Sequence, residues 1–222
     1  MATSLNNLAL LYYNQGQYGK AEPLYQRALA IREKALGPEH PNVAQSLNNL
    51  ALLYDNQDQY GKAEPLYQRA LGIREKALGR EHPAVAQSLN NLAALYQAQG
   101  LYEKAELLFQ RALAIREKAL GSEHPGVAQS LNDLAALHYT QGQYAKAEPL
   151  YQRALAIREK ALGPEHPEVA TSLENYARLL RKLGRTEEAD QLEFRARSAR
   201  AAFDPGSQNR AAGAGCRHCT AA

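Results

Sequence analysis

The chain has 222 residues, carries 26 Lys and Arg against 23 Asp and Glu, and contains no Trp and only three Phe. This composition favours helix over strand. Residues 1–170 hold 17 basic and 17 acidic side chains, so they lack the basic face that binding to nucleic acid requires. The sequence shows no signal peptide and no apolar stretch long enough to cross a membrane, so we expect a cytoplasmic protein without membrane contact.

A unit of 42 residues recurs over residues 1–203. The spacing predicts five repeats, at about residues 1–40, 41–82, 83–124, 125–166 and 167–203. The leucine and alanine positions keep a constant register in all five copies: Leu5, Leu47, Leu89, Leu131 and Leu173, then Ala9, Ala51, Ala93, Ala135 and Ala177. Self-similarity at a fixed period is the signature of a solenoid.

Each unit contains two amphipathic helices. In the second copy the apolar residues recur every three or four positions over 41–56 and again over 60–78, which predicts a helix A and a helix B. Gly79 suits the end of helix B and Pro83 suits the first turn of the next helix A. The motif Gly-x-Glu-His-Pro therefore marks each link between repeats, at Gly37, Gly79, Gly121 and Gly163.

These residues resemble the tetratricopeptide repeat. Leu47, Leu50, Ala51 and Tyr54 match its large-large-small-large pattern on helix A. The repeat of 42 residues is longer than the usual one of about 34 and is similar to the repeats of kinesin light chains and related bacterial proteins. The resemblance implies an all-α solenoid, a right-handed superhelix of antiparallel helix pairs, in which helix A lines a concave groove that binds a peptide.

Family geometry places a row of polar residues on that groove. A primary amide both donates and accepts hydrogen bonds, so a row of asparagines could hold the main chain of an extended peptide. Alternatively, one Asn of each pair bonds to the neighbouring repeat and fixes the stacking. We expect the row containing Asn49 to lie nearer the seam between helices. The predicted groove residues are Asn6, Gln45, Asn48, Asn49, Asn90, Asn91, Asn132, Tyr139, Asn175, Arg178 and Arg181.

The two ends of the array differ. In the last copy, Glu193 and Arg197 replace the apolar residues of helix B, which predicts a polar cap. Arg178 and Arg181 make this end positive, so we expect an acidic segment or a free C-terminal carboxylate of the ligand to lie there. Helix A of the first copy has no cap before it, which suggests further repeats or self-association at that end.

No feature indicates catalysis, and we predict that the protein is not an enzyme and needs no cofactor. The recurring histidines, such as His82, lie one per repeat and are too far apart to share a zinc ion, so they are interpreted as turn residues. Cys216 and Cys219 form a C-x-x-C in a tail, residues 204–222, whose composition predicts disorder. We interpret runs such as Arg74-Glu75-Lys76 as a solvated helix face.

The leading hypothesis is a scaffold that binds an extended peptide segment of a partner protein, as the cargo-binding repeats of kinesin light chains do. One alternative is a sensor or adaptor module of a larger, bacterial regulatory protein. Another is a structural unit that assembles through its uncapped first repeat.

Overall fold

The computed structural model describes residues 1–203, which contain ten helices and no strand. The predicted tail, with Cys216 and Cys219, lies outside the described residues. The all-α prediction is confirmed, and the helices predicted at 41–56 and 60–78 agree with α3 and α4. The helices are α1 Ala2–Asn14, α2 Tyr18–Leu36, α3 Pro41–Asp55, α4 Tyr60–Leu78, α5 Pro83–Ala98, α6 Tyr102–Leu120, α7 Pro125–Thr140, α8 Tyr144–Leu162, α9 Pro167–Lys182 and α10 Thr186–Phe203.

The described part of the chain divides into two compact units, residues 1–119 and 120–203. In the first unit, α1 packs on α2, α2 on α3, α3 on α4 and α4 on α5, and α3 also contacts α5. In the second unit, α7 packs on α8, α8 on α9 and α9 on α10, and α7 also contacts α9. The odd-numbered helices are the A helices and the even-numbered ones are the B helices. An A helix such as α3 therefore lies between two B helices.

The link motif forms the predicted boundary between helices, and its histidine has a definite role. Gly79 has a φ of 86°, which costs a glycine nothing and ends α4. His82 is the N-cap of α5, and its Nδ1 accepts a hydrogen bond of 3.1 Å from the backbone N–H of Ala84. The same cap begins α3, α7 and α9, at His40, His124 and His166. The sequence identified a turn residue here but not the cap.

Helix α3 buries small and branched residues between its two neighbours, α2 and α4. Val43, Ala44 and Leu47 of α3 are fully buried and form one cluster with Ala70 and Ile73 of α4. On the other side of this cluster, Leu29 of α2 packs against it. Because α3 needs both neighbours to bury its apolar residues, stability is passed along each unit from repeat to repeat.

The end of the second unit is held by ion pairs between α9 and α10. Arg181 donates to Asp190 at 2.6 Å and to both carboxylate oxygens of Glu193 at 2.8 and 2.9 Å. Arg200 makes a similar two-bond contact with Glu174, with distances of 2.8 Å. Charged residues of the predicted cap therefore bind one another within the described part of the chain.

Candidate functional site

One side of each A helix is left open by the B helices. Its residues recur four and three positions apart, which places them on one face of a helix. They are exposed or half-buried, and we call them the A face. The A face consists of Gln45, Asn49 and Leu52 on α3; Gln87, Asn91 and Ala94 on α5; Gln129, Asp133 and Ala136 on α7; and Thr171, Asn175 and Arg178 on α9.

The asparagines of the first unit bond to one another across neighbouring A helices. The Asn49 amide donates to the side-chain oxygen of Asn6 at 2.8 Å, and the Asn91 amide donates to that of Asn48 at 2.6 Å. Gln45 in turn donates to the Asn49 oxygen at 2.9 Å. These amides therefore link α1 to α3 and α3 to α5, as the stacking alternative requires.

The two rows of asparagines differ in exposure. Asn48, Asn90 and Asn132 are only 5–7% exposed, whereas Asn49 and Asn91 are half-buried. The expectation that the row of Asn49 lies nearer the seam is therefore wrong, because the side chains of the Asn48 row are the more deeply buried between helices. In the second unit, Asn132 donates to the backbone oxygen of Ala128 at 3.2 Å. Contact of either row with a ligand stays a prediction.

We predict that Asn48 stabilises the fold and is not part of the A face. Asn48→Ala removes the buried acceptor of Asn91, which costs about 1–3 kcal/mol, and better helix propensity returns roughly 0.5 kcal/mol. In a double-mutant cycle with Asn91→Ala, urea denaturation should give a coupling of about 0.5–1.5 kcal/mol. Asn42→Ala, on the exposed start of α3, is the control. A coupling near zero would contradict the stacking role.

Buried arginines form a second network that the sequence did not reveal. Arg74, which the sequence pattern assigned to a solvated face, is 7% exposed. Its guanidinium donates to Ser88 Oγ at 2.8 Å, to the backbone oxygen of Ala84 at 3.1 Å and to Gln45 Oε1 at 3.0 Å. Burial lowers the pKa of Arg74. The interpretation is wrong because Arg74 points between helices, where it joins α4 to α3 and α5.

The arginine network recurs in the second unit. Arg158 is 3% exposed and donates to Ser172 Oγ and to Gln129 Oε1, at 2.7 Å in each case. The glutamines on the A face thus accept a hydrogen bond from a buried cation. The side-chain oxygens of Gln45 and Gln129 are therefore held in place by the scaffold.

In α3, α5 and α9 a tyrosine reaches back to the preceding B helix, whereas the equivalent position of α7 holds His138. Tyr54 Oη donates to Glu22 at 2.8 Å and accepts from Gln26 at 3.2 Å, and Tyr96 makes the same bonds with Glu64 and Gln68. In α9 a leucine, Leu180, takes the repeat position of Tyr54. The tyrosine stands one turn earlier instead: Tyr176 donates to Glu148 at 3.0 Å and accepts from Gln152 at 2.7 Å.

The second unit contains a cavity of about 230 Å³ that opens on the A face. Three of the predicted groove residues, Tyr139, Asn175 and Arg178, lie together in its wall. The small side chain of Ala136 leaves room between them. The complete lining is Ala136, Tyr139 and Thr140 of α7, Tyr151 of α8, and Asn175 and Arg178 of α9.

The wall of this cavity combines aromatic rings with one cation. The ring of Tyr139 lies 5.6 Å from that of Tyr144, centroid to centroid, and is held by this packing. Tyr151 is 4% exposed, and burial raises the pKa of its phenol to about 12, so the phenol stays neutral at physiological pH. The cavity can therefore accept an apolar or aromatic group beside a positive charge.

Of the two predicted arginines, Arg178 is the one available to an anion. Arg178 is exposed, donates to Asn175 Oδ1, and forms no ion pair with a carboxylate of the described residues. Arg181, by contrast, is bound by Asp190 and Glu193 of α10. The structure thus brings Arg178, but not Arg181, together with Tyr139 and Asn175.

Residues 1–203 offer neither a metal cluster nor a membrane span. This part of the chain contains no group of three or more His, Cys, Asp or Glu residues that could hold a metal ion. None of its helices is both long enough and apolar enough to span a membrane. The C-x-x-C motif lies outside these residues, so its role stays a prediction.

Comparison with known families identifies the class of protein. The family model of the tetratricopeptide repeat matches residues 1–76, 56–118, 85–160 and 127–202. The chain therefore belongs to the tetratricopeptide repeat family, as the leucine and alanine register predicted. This fold is typical of protein-protein interaction scaffolds, and the family is generally non-catalytic. A comparison with curated proteins gave no match.

Solved structures confirm the resemblance to kinesin light chain repeats. The chain is similar to the Q17M variant of a Podosopora anserina protein of nearly identical TPR-like repeats that was assigned as a kinesin light chain. The two share 34% identity over 90% of this chain and 94% of the other, with a TM-score of 0.75.

Two further solved structures are also similar. BtubC (BKLC) from P. vanneervenii shares 27% identity over 98% of this chain and 84% of its own, with a TM-score of 0.77. A Rap protein, solved in complex with competence and sporulation factor, shares 18% identity over 91% of this chain and 54% of its own, with a TM-score of 0.76. At that identity the Rap protein shows a common fold alone.

Proposed function

We propose that the chain is a non-catalytic scaffold that binds an extended segment of a partner protein on the A face. The observation that carries the proposal is the cavity of the second unit, where Tyr139, Asn175 and the unpaired cation of Arg178 converge on an open surface. The ligand that fits this chemistry is a peptide with an acidic side chain or a free C-terminal carboxylate and a neighbouring apolar group.

The spacing of the A helices suits an extended peptide. Packed helices lie about 8–10 Å apart, and an extended chain advances roughly 3.3 Å per residue. One contact per helix thus corresponds to about every third peptide residue within a unit. The half-buried Asn49 and Asn91 and the exposed Gln87 offer amides for the peptide main chain, in addition to the bonds that they make to one another.

The relatives support an adaptor role in particular. The similarity to kinesin light chain repeats favours a protein that holds a cargo or adaptor peptide for a larger assembly. A sensor or adaptor module of a larger bacterial regulator is the alternative. Both functions use the same open face.

The test is selection of short random peptides, displayed with a free C-terminus, on the intact chain. We expect the selected peptides to be rich in Asp, Glu or C-terminal apolar residues. Arg178→Ala should weaken their binding by about tenfold or more, since a hydrogen bond to a charged group contributes about 1.5–3 kcal/mol and each decade corresponds to about 1.4 kcal/mol. Calorimetry measures the affinity.

Arg181→Ala is the matched control, because the same cation is removed three residues away. Its guanidinium is already bound by Asp190 and Glu193, so the affinity for the selected peptide should change little. Equal losses in both variants would point to a general effect of charge. An unchanged affinity of the Arg178→Ala protein would rule out the cavity as the binding site.

A further inference from the structure

The A face of α3 ends in a carboxylate that no cation neutralises. Asp55 is the last residue of α3, is half-buried, and lies three residues after Leu52, so the two side chains share one face of the helix. Leu52 stays 36% exposed although α2, α4 and α5 all pack on α3. Within residues 1–203, Asp55 forms no ion pair, and the last turn of α3 contains no basic residue. Burial and the nearby charge of Asp58 raise the pKa of the Asp55 carboxyl.

Tyrosine side chains lie beside this carboxylate. The Asn56 amide donates to Tyr13 Oη at 2.6 Å, which holds the phenol of Tyr13 at the end of α3. The Tyr13 ring also packs against Tyr18, with 5.6 Å between the ring centroids. Burial and Tyr18 raise the pKa of the Tyr13 phenol, and the charge of Asp55 adds to the rise. At Tyr67 of α4, the same charge adds to the effect of burial on the pKa. The carboxylate therefore lies close to both phenols, within the first unit.

This part of the A face resembles the cavity of the second unit but carries the opposite charge. Tyr13 takes the repeat position of Tyr139, and each of these rings packs at 5.6 Å against the first tyrosine of the following helix. Leu52 takes the repeat position of Arg178, and Asp55 follows where the second unit has another arginine. The first unit therefore offers an apolar contact and a negative charge where the second unit offers cations.

We propose that Asp55 binds an arginine side chain of the peptide held on the A face, and that Leu52 contacts an apolar residue beside that arginine. A carboxylate accepts two parallel hydrogen bonds from a guanidinium, and a guanidinium stacks on aromatic rings such as that of Tyr13. The C-terminal end of α3 adds a partial negative charge. A lysine ammonium cannot form the same fork of bonds. The inference rests on the proposed function, because it names a second subsite on the same face.

The probe is acetyl-Leu-Arg-amide, and acetyl-Leu-citrulline-amide is its neutral analogue of the same shape. NMR spectra of the intact chain, labelled in its leucine methyls and tyrosine rings, follow both titrations. We expect the signals of Leu52 and Tyr13 to shift saturably with the arginine probe. The citrulline probe should bind at least about tenfold more weakly, which corresponds to about 1.4 kcal/mol.

The chain provides a matched pair of variants. Asp55→Asn keeps the shape of the side chain and should abolish the preference for arginine over citrulline. Asp58→Asn removes the same charge three residues later, but Asp58 is exposed and already accepts a hydrogen bond of 2.8 Å from Tyr60 Oη, so most of the preference should remain. Circular dichroism checks that both variants fold. Arg178→Ala should keep the preference, because Arg178 belongs to the second unit.

Peptides selected from a random library on the intact chain extend the test to a longer ligand. They should be enriched in arginine, and the same selection on the Asp55→Asn protein should lose that enrichment. Peptides whose affinity depends on Arg178, but which are not enriched in arginine, would overturn this proposal and leave the proposed function standing. Peptides that need Asp55 but bind the Arg178→Ala protein normally would instead rule out the cavity alone.

The short probes give their own contradicting results. The proposal is overturned if the arginine probe causes no saturable shift, or if the arginine and citrulline probes bind the intact chain equally well. It is also overturned if the preference survives Asp55→Asn, or if Asp58→Asn reduces it as much as Asp55→Asn does.

Discussion

A chain that ends at residue 166 is expected to aggregate and to lose most of the cooperativity of its second unit. Without α9 and α10, the α8 side chains Tyr151 and Leu155, now 4% and 7% exposed, lose the cluster formed with Val169 and Leu173. Each large side chain left uncovered costs about 1.5–3 kcal/mol.

A chain that ends at residue 203 is the control, because it keeps all of the helices from α1 to α10. We expect it to match the full chain in helicity and melting temperature, without a zinc-dependent change. Light scattering and thermal melts of the two truncations give the comparison. If the chain that ends at 166 stays monomeric with an unchanged melting temperature, α9 and α10 do not act as a cap.

Arg74→Ala is expected to lower the free energy of unfolding by about 3 kcal/mol or more, a large loss for a single substitution. The change removes three hydrogen bonds, to Ser88, Ala84 and Gln45, and leaves a void between α3, α4 and α5. Each buried acceptor left without a partner costs about 1–3 kcal/mol, and the void adds to this. Arg74→Lys should restore little, because an ammonium cannot make the same fork of bonds.

Arg69→Ala is the control on the same helix. Arg69 is half exposed and pairs with Glu33 at 2.8 Å, and exposed pairs contribute about 0–1 kcal/mol. Urea denaturation of both variants measures the difference in the free energy of unfolding. A loss for Arg74→Ala no greater than that for Arg69→Ala would show that the buried network contributes little.

The helices could be predicted because every local signal agreed. The apolar period, the glycine after each B helix and the proline at the start of each A helix all pointed to the same boundaries. The role of Arg74 could not be read from its neighbours alone, since Lys76 is exposed and Glu75 is half-buried in an ion pair with Arg111. Recurrence gave no signal either, because the exposed Lys76 recurs at the same spacing as Arg74, at Lys34, Lys118 and Lys160.

Other features depend on three-dimensional contacts that a periodic template cannot supply. The repeat pattern of 42 residues, counted from Tyr54, predicts a tyrosine at position 180. Helix α9 instead has Leu180 there and Tyr176 one turn earlier. Only the structure shows that Tyr176 still reaches Glu148. Likewise, sequence placed Arg178 and Arg181 in one groove. The carboxylates that bind Arg181 lie on α10, on the other side of the turn between the two helices.

Photocrosslinking locates a bound peptide most directly. A photoreactive amino acid in place of Thr140 stands in the wall of the cavity, and the same group in place of Leu107, 68% exposed on α6, stands on a B helix. With a peptide selected on the intact chain, we predict covalent adducts from position 140 and none from position 107. Adducts from position 107 without adducts from position 140 would contradict binding on the A face.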